Sequence, residues 1–211
     1  MGQGPQSRMY RGVDTEQRRA ERRERLLEAA LDEFTTRGYH KTKIADLCAR
    51  AGVSTRNFYE KFASKEALLL ELHAHVNTLA MQRMRPVLDS LGDADALTRI
   101  TTMLDEFVAA VTADPRFPRL NYVEVPGISQ AMERQHRDWF NRYTDLIEAE
   151  CDRAAAAGLA PERDYRLTAI ALVGAVTGIL REWQAHDPPM PADAVANEIR
   201  QVFVAAITRP A

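Results

Sequence analysis

Residues 42–68 read TKIADLCARAGVSTRNFYEKFASKEAL. Behind Thr42, whose hydroxyl can cap a helix start, Ile44, Leu47 and Cys48 recur at helical spacing. The pattern breaks at Ala51-Gly52-Val53-Ser54, because glycine takes the positive φ that a sharp bend between packed helices requires. Ser54 then restarts a short helix with Phe58 and Phe62 four residues apart on its inner side. Ser64 caps a further helix through Leu68, Leu69 and Leu72. Two short helices joined by a tight turn, the second polar outside, form a helix-turn-helix. Leu47 and Val53 pin the pair, and Thr55, Arg56, Asn57, Tyr59 and Lys61 face outward. Arginine can give two parallel hydrogen bonds to guanine, and asparagine can pair in the same way with adenine. Threonine, tyrosine and lysine suit phosphate oxygens or base edges, and free N–H groups at the starts of the second and fourth helices attract phosphates.

Upstream, a helix is expected from near Glu16, with Leu27, Ala30, Leu31 and Phe34 as its buried stripe and Gly38 as its left-handed cap. Residues 1–17, with Gly2, Gly4, Pro5 and Gly12 beside Arg8 and Arg11, read as a flexible basic arm. Downstream, the fourth helix runs into the 80s and ends around Pro86 and Gly92-Asp93. Helices follow over about 95–113, 129–157, 163–185 and 192–208, with a short irregular piece before Pro126-Gly127 and a stop at Asp187-Pro188-Pro189. No alternating pattern long enough for a sheet and no repeat is present. The fold class is all-α, with about nine helices. The domains are the arm, a DNA-binding domain at 18–66 and a helical body at 67–211.

The quoted run, with Leu26-Leu-Glu-Ala-Ala-Leu-Asp-Glu-Phe34 and Gly38-Tyr39 before it, resembles the DNA-binding signature of the tetracycline-repressor (TetR) family. The resemblance is specific over about residues 18–72; beyond that only length and helical character match. It implies that Thr55, Arg56, Asn57, Tyr59 and Lys61 line the operator face and that Lys65 meets a phosphate, with Thr42 as a second anchor. Lys43 stands where threonine is common and Lys61 where histidine or tyrosine is common, so this face is more basic than the usual pattern. The resemblance also implies a homodimer, whose paired recognition helices read half-sites about 34–36 Å apart on a near-palindromic double-stranded operator.

Charge distribution agrees with this division. The net charge of −2 conceals +4 on residues 1–66 and −6 on residues 67–211, so the basic head is the part suited to a polyanion. Two cysteines, Cys48 and Cys151, are too few for a disulfide framework, and no signal segment or membrane-length apolar run is visible. A cytoplasmic protein with no membrane partner is expected. His73 and His75, two apart on a helix, face different sides and do not make a metal pair. No HExxH, CxxC or glycine-rich phosphate loop appears, so no enzyme activity, cofactor or metal is expected.

In the body, Gly174 and Gly178 share a helix face with Ala171, and Ile170 adds apolar area beside them. The last helix carries Val202 and Phe203 among its apolar positions. Ile170, Gly174, Gly178, Val202 and Phe203 are therefore the dimer-interface candidates, with ordinary core packing as the alternative. Met81, Met84, Met103, Phe107, Tyr122, Trp139, Phe140 and Tyr143 lie on helices that the resembled family uses to wrap an inducer. Apolar walls with a few polar groups suit a small organic ligand, and plain core packing is again the alternative. The expected function is a ligand-responsive regulator released from its operator by a small organic inducer through movement of the fourth helix. Repression is the default mode, and an activator or a non-sensing DNA-binding protein of the same fold remains open. Operator, target genes and inducer are not readable from the sequence.

Overall fold

Helical periodicity becomes helix along nearly the whole chain. The computed structural model describes residues 6–185 and 190–208, with side chains from residue 16 onward. The described residues contain α1 (Gln6–Arg37), α2 (Ile44–Ala51), α3 (Thr55–Tyr59), α4 (Lys65–Ser90), α5 (Ala96–Thr112) and α6 (Arg116–Arg119). A π-helical segment follows at Leu120–Glu124, then α7 (Gln130–Ala156), α8 (Arg166–Ala185) and α9 (Ala192–Thr208). No strand occurs among these residues.

One helix boundary differs from expectation, and another falls between its two expected stop signals. α1 already starts at Gln6 and passes through Gly12, a residue that costs a helix interior only about 1 kcal/mol relative to alanine. The arm expected over 1–17 is thus helical from Gln6 on, while the side chains of Arg8 and Arg11 lie outside the described residues. α4 passes through Pro86 and continues to Ser90. Gln82, whose carbonyl the proline cannot reach with an N–H, is exposed, as is Pro86 itself, so water can serve that acceptor. The stop at Asp187-Pro188-Pro189 lies outside the described residues.

The chain divides into two compact units, Met1–Leu72 and His73–Ala211. In the first, Leu26, Ala30 and Phe34 of α1, Leu47 of α2, Phe58 of α3 and Leu68, Leu69 and Leu72 of α4 are buried. The first unit therefore runs past residue 66, because the opening turns of α4 supply three of its core leucines. In the second, α5, α7, α8 and α9 enclose a core that includes Ile100, Leu104, Ile147, Leu172, Leu180, Ile199 and Ile207.

A buried ion pair fixes the middle of this second core. Arg99 of α5 donates from Nε and Nη2 to the two carboxylate oxygens of Glu150 on α7, both at 2.8 Å. Its Nη1 donates to the carbonyls of Leu88 and Gly92, both at 2.9 Å. One guanidinium thereby ties the end of α4, the following turn, α5 and α7 together through four of its five donors.

Candidate nucleic-acid interface and effector cavity

The turn between α2 and α3 is built as the sequence requires. Gly52 sits at φ +62°, the left-handed region, and the next N–H, of Val53, donates to Cys48 O at 2.9 Å. Ser54 caps α3: its Oγ accepts from Asn57 N at 3.2 Å. α3 buries one side chain, Phe58, which packs against Phe62 with ring centroids 5.7 Å apart. That inward anchor leaves Thr55, Arg56 and Tyr59 exposed, with Asn57 half-buried; Lys61, just beyond the helix, is exposed as well. Arg56 Nε lies 3.2 Å from Glu60 Oε1, one turn on. With the Arg56 side chain 88 % exposed, this pairing is weak enough to exchange for a base edge or phosphate.

Two expected phosphate anchors are placed differently. Thr42 is buried, and its hydroxyl donates to Gly38 O at 2.9 Å and Glu33 O at 3.3 Å. It staples the α1–α2 connection and presents no hydroxyl to a ligand. The N-cap of α2 is Lys43, whose backbone N–H donates to Asp46 Oδ2 at 3.2 Å while its side chain is exposed. Lys65 is also turned inward: Nζ donates to Tyr39 O at 2.7 Å and Thr42 O at 2.8 Å, and lies 4.2 Å from the Tyr39 ring centre. Partial burial lowers its pKa, and two of its three donors are taken. Both side chains serve backbone carbonyls, three of them (Gly38, Tyr39 and Thr42) in the connection between α1 and α2.

The second unit encloses a cavity with an empty volume of about 640 Å³, part of it open to solvent. Met84, Met103, Phe107, Tyr122, Trp139, Phe140 and Tyr143 line it, as do Val173 and Val176 of α8. Met81 instead packs on the core and lines a separate open groove with Arg85 and Arg142. Polar residues that sequence reasoning left out also line the cavity, among them His73, Asn77, Asn121 and His136. The signal for two of them lies in α4, where His73 and Asn77 are polar members of the buried series Val76, Ala80, Met84, Leu88.

These groups form a network. Asn77 Nδ2 donates to His73 O at 2.8 Å and to Asn121 Oδ1 at 3.3 Å. The Tyr143 hydroxyl donates to Asn77 Oδ1 at 3.2 Å. Gln135 Nε2 donates to His73 Nδ1 at 2.9 Å, which leaves Nε2 as the protonated nitrogen of the neutral ring. Asn121 and Tyr122 reach the cavity from the π-helical segment, closed by Val125 N donating to Leu120 O at 3.0 Å. Burial pushes the Tyr122 and Tyr143 phenols upward. It drives His73 down to about 3, with His136 adding to the effect, and lowers His136, against the pull of Glu133.

A pH prediction follows from His73. An unfolded imidazole titrates near 6.5. Between about pH 6.5 and 3 the unfolded chain holds a proton at this site that the folded chain does not, so stability falls as pH falls through that window, by at most about 1.4 kcal/mol per pH unit. Between pH 7.5 and 5.5 the melting temperature of the wild-type protein should drop further than that of His73→Gln. Equal drops would remove this imidazole from the explanation.

The sequence profile of bacterial regulatory proteins of the tetR family matches residues 26–72, and that of the tetracyclin repressor-like C-terminal domain matches residues 93–207. The chain belongs to the TetR family. It is similar to the HTH-type transcriptional activator FasR of Mycolicibacterium smegmatis, 30% identical over 184 residues that cover 85% of this chain and 80% of FasR. It is also similar to the HTH-type transcriptional regulator EthR of Mycobacterium tuberculosis, at 28% identity over 78% of this chain and 76% of EthR. Its fold matches FadR of Bacillus subtilis, solved in complex with stearoyl-CoA, with a TM-score of 0.77 at 16% identity, covering 86% of this chain and 97% of FadR.

This TetR-family chain is therefore a ligand-responsive DNA-binding transcriptional regulator and not an enzyme. Among the described residues no helix is long and apolar enough to cross a membrane. Both cysteines are buried, and burial pushes the Cys151 thiol up to about 12, so neither is poised as a thiolate. On α8, Leu167, Ile170, Ala171, Gly174 and Gly178 are exposed, and a side chain added at either glycine would meet no atom within 4 Å. Val202 is half-buried, whereas Phe203 is wholly buried and lines the cavity. Phe203 belongs to the core of its own chain, on the buried face of α9 that it shares with Val195, Ile199 and Ile207.

Proposed function

We propose that the protein binds a near-palindromic operator as a homodimer, represses the adjacent promoter, and releases DNA when a small molecule carrying an alkyl chain fills the cavity. The observation that carries this reading is the cavity itself. Its walls are methionine, aromatic and branched aliphatic side chains with a few polar groups among them, the lining that suits a small organic ligand. The relative solved with stearoyl-CoA supports an acyl chain as the occupant. The exposed α8 strip of Leu167, Ile170, Ala171, Gly174 and Gly178 is the dimer face, since small residues let two helices approach closely. The first unit is the DNA-binding part and the second the ligand-binding and dimerisation part, in the cytoplasm.

Coupling runs through α4. Its Leu68, Leu69 and Leu72 are core residues of the first unit, and its His73, Asn77 and Met84 line the cavity of the second. A ligand that prefers one position of this helix shifts the population of DNA-competent dimers, by its difference in affinity between the two states. A coupling of about 1–3 kcal/mol weakens operator binding roughly 5–150-fold. Activation is the second reading, favoured by the FasR relative; its sign would come from the operator's place relative to the promoter.

The test begins with selection of bound fragments from the source genome, followed by mobility shifts with long-chain compounds. Arg56→Ala should weaken the selected operator by about 1–3 kcal/mol and relax base preference at one position, whereas Lys61→Ala should weaken all sequences alike and reduce the salt slope by about one. Undiminished operator binding at saturating concentrations of every alkyl compound would refute ligand release.

A further inference from the structure

The cavity has an uncharged polar end whose hydrogen bonding is incomplete. Asn77, Asn121 and Tyr143 satisfy one another across α4, the π-helical segment and α7. Beside them His73 and His136 stand with ring centroids 5.7 Å apart. His73 Nδ1 is engaged by Gln135, but His136 Nδ1 is buried with no hydrogen-bond partner among the described residues. The lining contains no lysine, arginine, aspartate or glutamate. Burial also lowers the pKa of both imidazoles and raises that of both phenols, so every polar group at this end is neutral near pH 7.

Two physical consequences follow. A carboxylate or phosphate drawn into this end would lose its water and meet no opposite charge, which is strongly unfavourable. A neutral head that both donates and accepts completes His136 whichever ring nitrogen carries the proton. Hydroxyl and amide groups have that property; an ionised carboxylate only accepts.

We propose that the effector is a neutral amphiphile, an alkyl chain ending in a hydroxyl or amide head that hydrogen-bonds to His136, and that the cavity discriminates against the free fatty-acid anion. This rests on the reading of the cavity as an alkyl-chain site. The apolar walls from Phe107, Val173 and Val176 take the chain, and the His136 end reads the head.

The experiment uses the full-length protein at pH 7.5 with four probes of one chain length: dodecane, dodecan-1-ol, dodecanamide and dodecanoate. Calorimetry or a displacement assay gives affinities, and a mobility shift on the selected operator gives release. The alcohol and the amide should bind about tenfold or more tightly than both dodecane and dodecanoate, and should release DNA at lower concentration. In His136→Phe, which keeps ring bulk and removes both nitrogens, the advantage of the alcohol over dodecane should vanish. The four wild-type affinities decide the matter even if that variant folds poorly. Dodecanoate binding as tightly as dodecan-1-ol would overturn the proposal. So would an unchanged alcohol advantage in His136→Phe. If all four probes bind alike, the head-group proposal falls and the alkyl cavity stands; if none binds, both fall.

Discussion

Replacing Arg99 by methionine should lower the melting temperature of this regulator by roughly 10 °C, from a loss of about 3–5 kcal/mol. Arg99 and Glu150 have side chains only 7% and 6% exposed, so removing the guanidinium leaves a buried carboxylate with only the half-exposed Arg153, 3.7 Å away, to offset its charge. The carbonyls of Leu88 and Gly92 lose their donor in the same step. The double variant Arg99→Met/Glu150→Leu should recover a large part of the loss, because no buried charge is left without its partner and Arg153, which loses Glu150, is exposed to water. Thermal melts of the three proteins check this. If the single variant melts within a degree or two of wild type, the pair does not hold the second unit together.

Phe58→Ala should abolish operator binding while leaving the cavity's ligand affinity intact. α3 has five residues and buries one of them, so this ring is its main anchor, beside one side-chain hydrogen bond between Thr55 and Cys48. Truncating a wholly buried phenylalanine costs about 3–5 kcal/mol, a large share of the stability of a unit this small. Thr55, Arg56 and Asn57 would then no longer be held in a common frame. Mobility shift and ligand calorimetry on one preparation separate the two effects. Operator binding at wild-type strength would show that α3 is fixed by something other than this ring.

Much of the DNA-binding unit was legible because its signals are local. Gly52 marks a bend, Ser54 a cap, and Phe58 and Phe62 an inward face, and each depends on residues within one turn. Thr42 and Lys65 were misplaced because their partners lie elsewhere in the chain: Glu33 and Gly38 for one, Tyr39 and Thr42 for the other. A hydroxyl or ammonium reads alike in sequence whether it serves a phosphate or a stranded carbonyl. The cavity's apolar walls could be foreseen from methionine and aromatic positions, though Met81 faces a different groove. The polar end could not, since Asn77 and Asn121 are 44 positions apart and the π-helical segment between α6 and α7 reads as an irregular connection. Phe203 and Val202 are neighbours on one apolar stripe, and only the packed body decides which of them turns inward.

The π-helical segment also bears on how such a regulator acquires new specificity. A π-turn is an α-helix carrying one extra residue, commonly found at functional sites. Loss of a single codon within Leu120–Glu124 would return the segment to α-helical register, since the wide turn is what absorbs the extra residue. Asn121 and Tyr122 would exchange their places on the wall with neighbouring residues, while the helices that build the core would keep their own sequences. One in-frame deletion there would thus remake a wall of the cavity that otherwise changes only by successive replacements of buried residues.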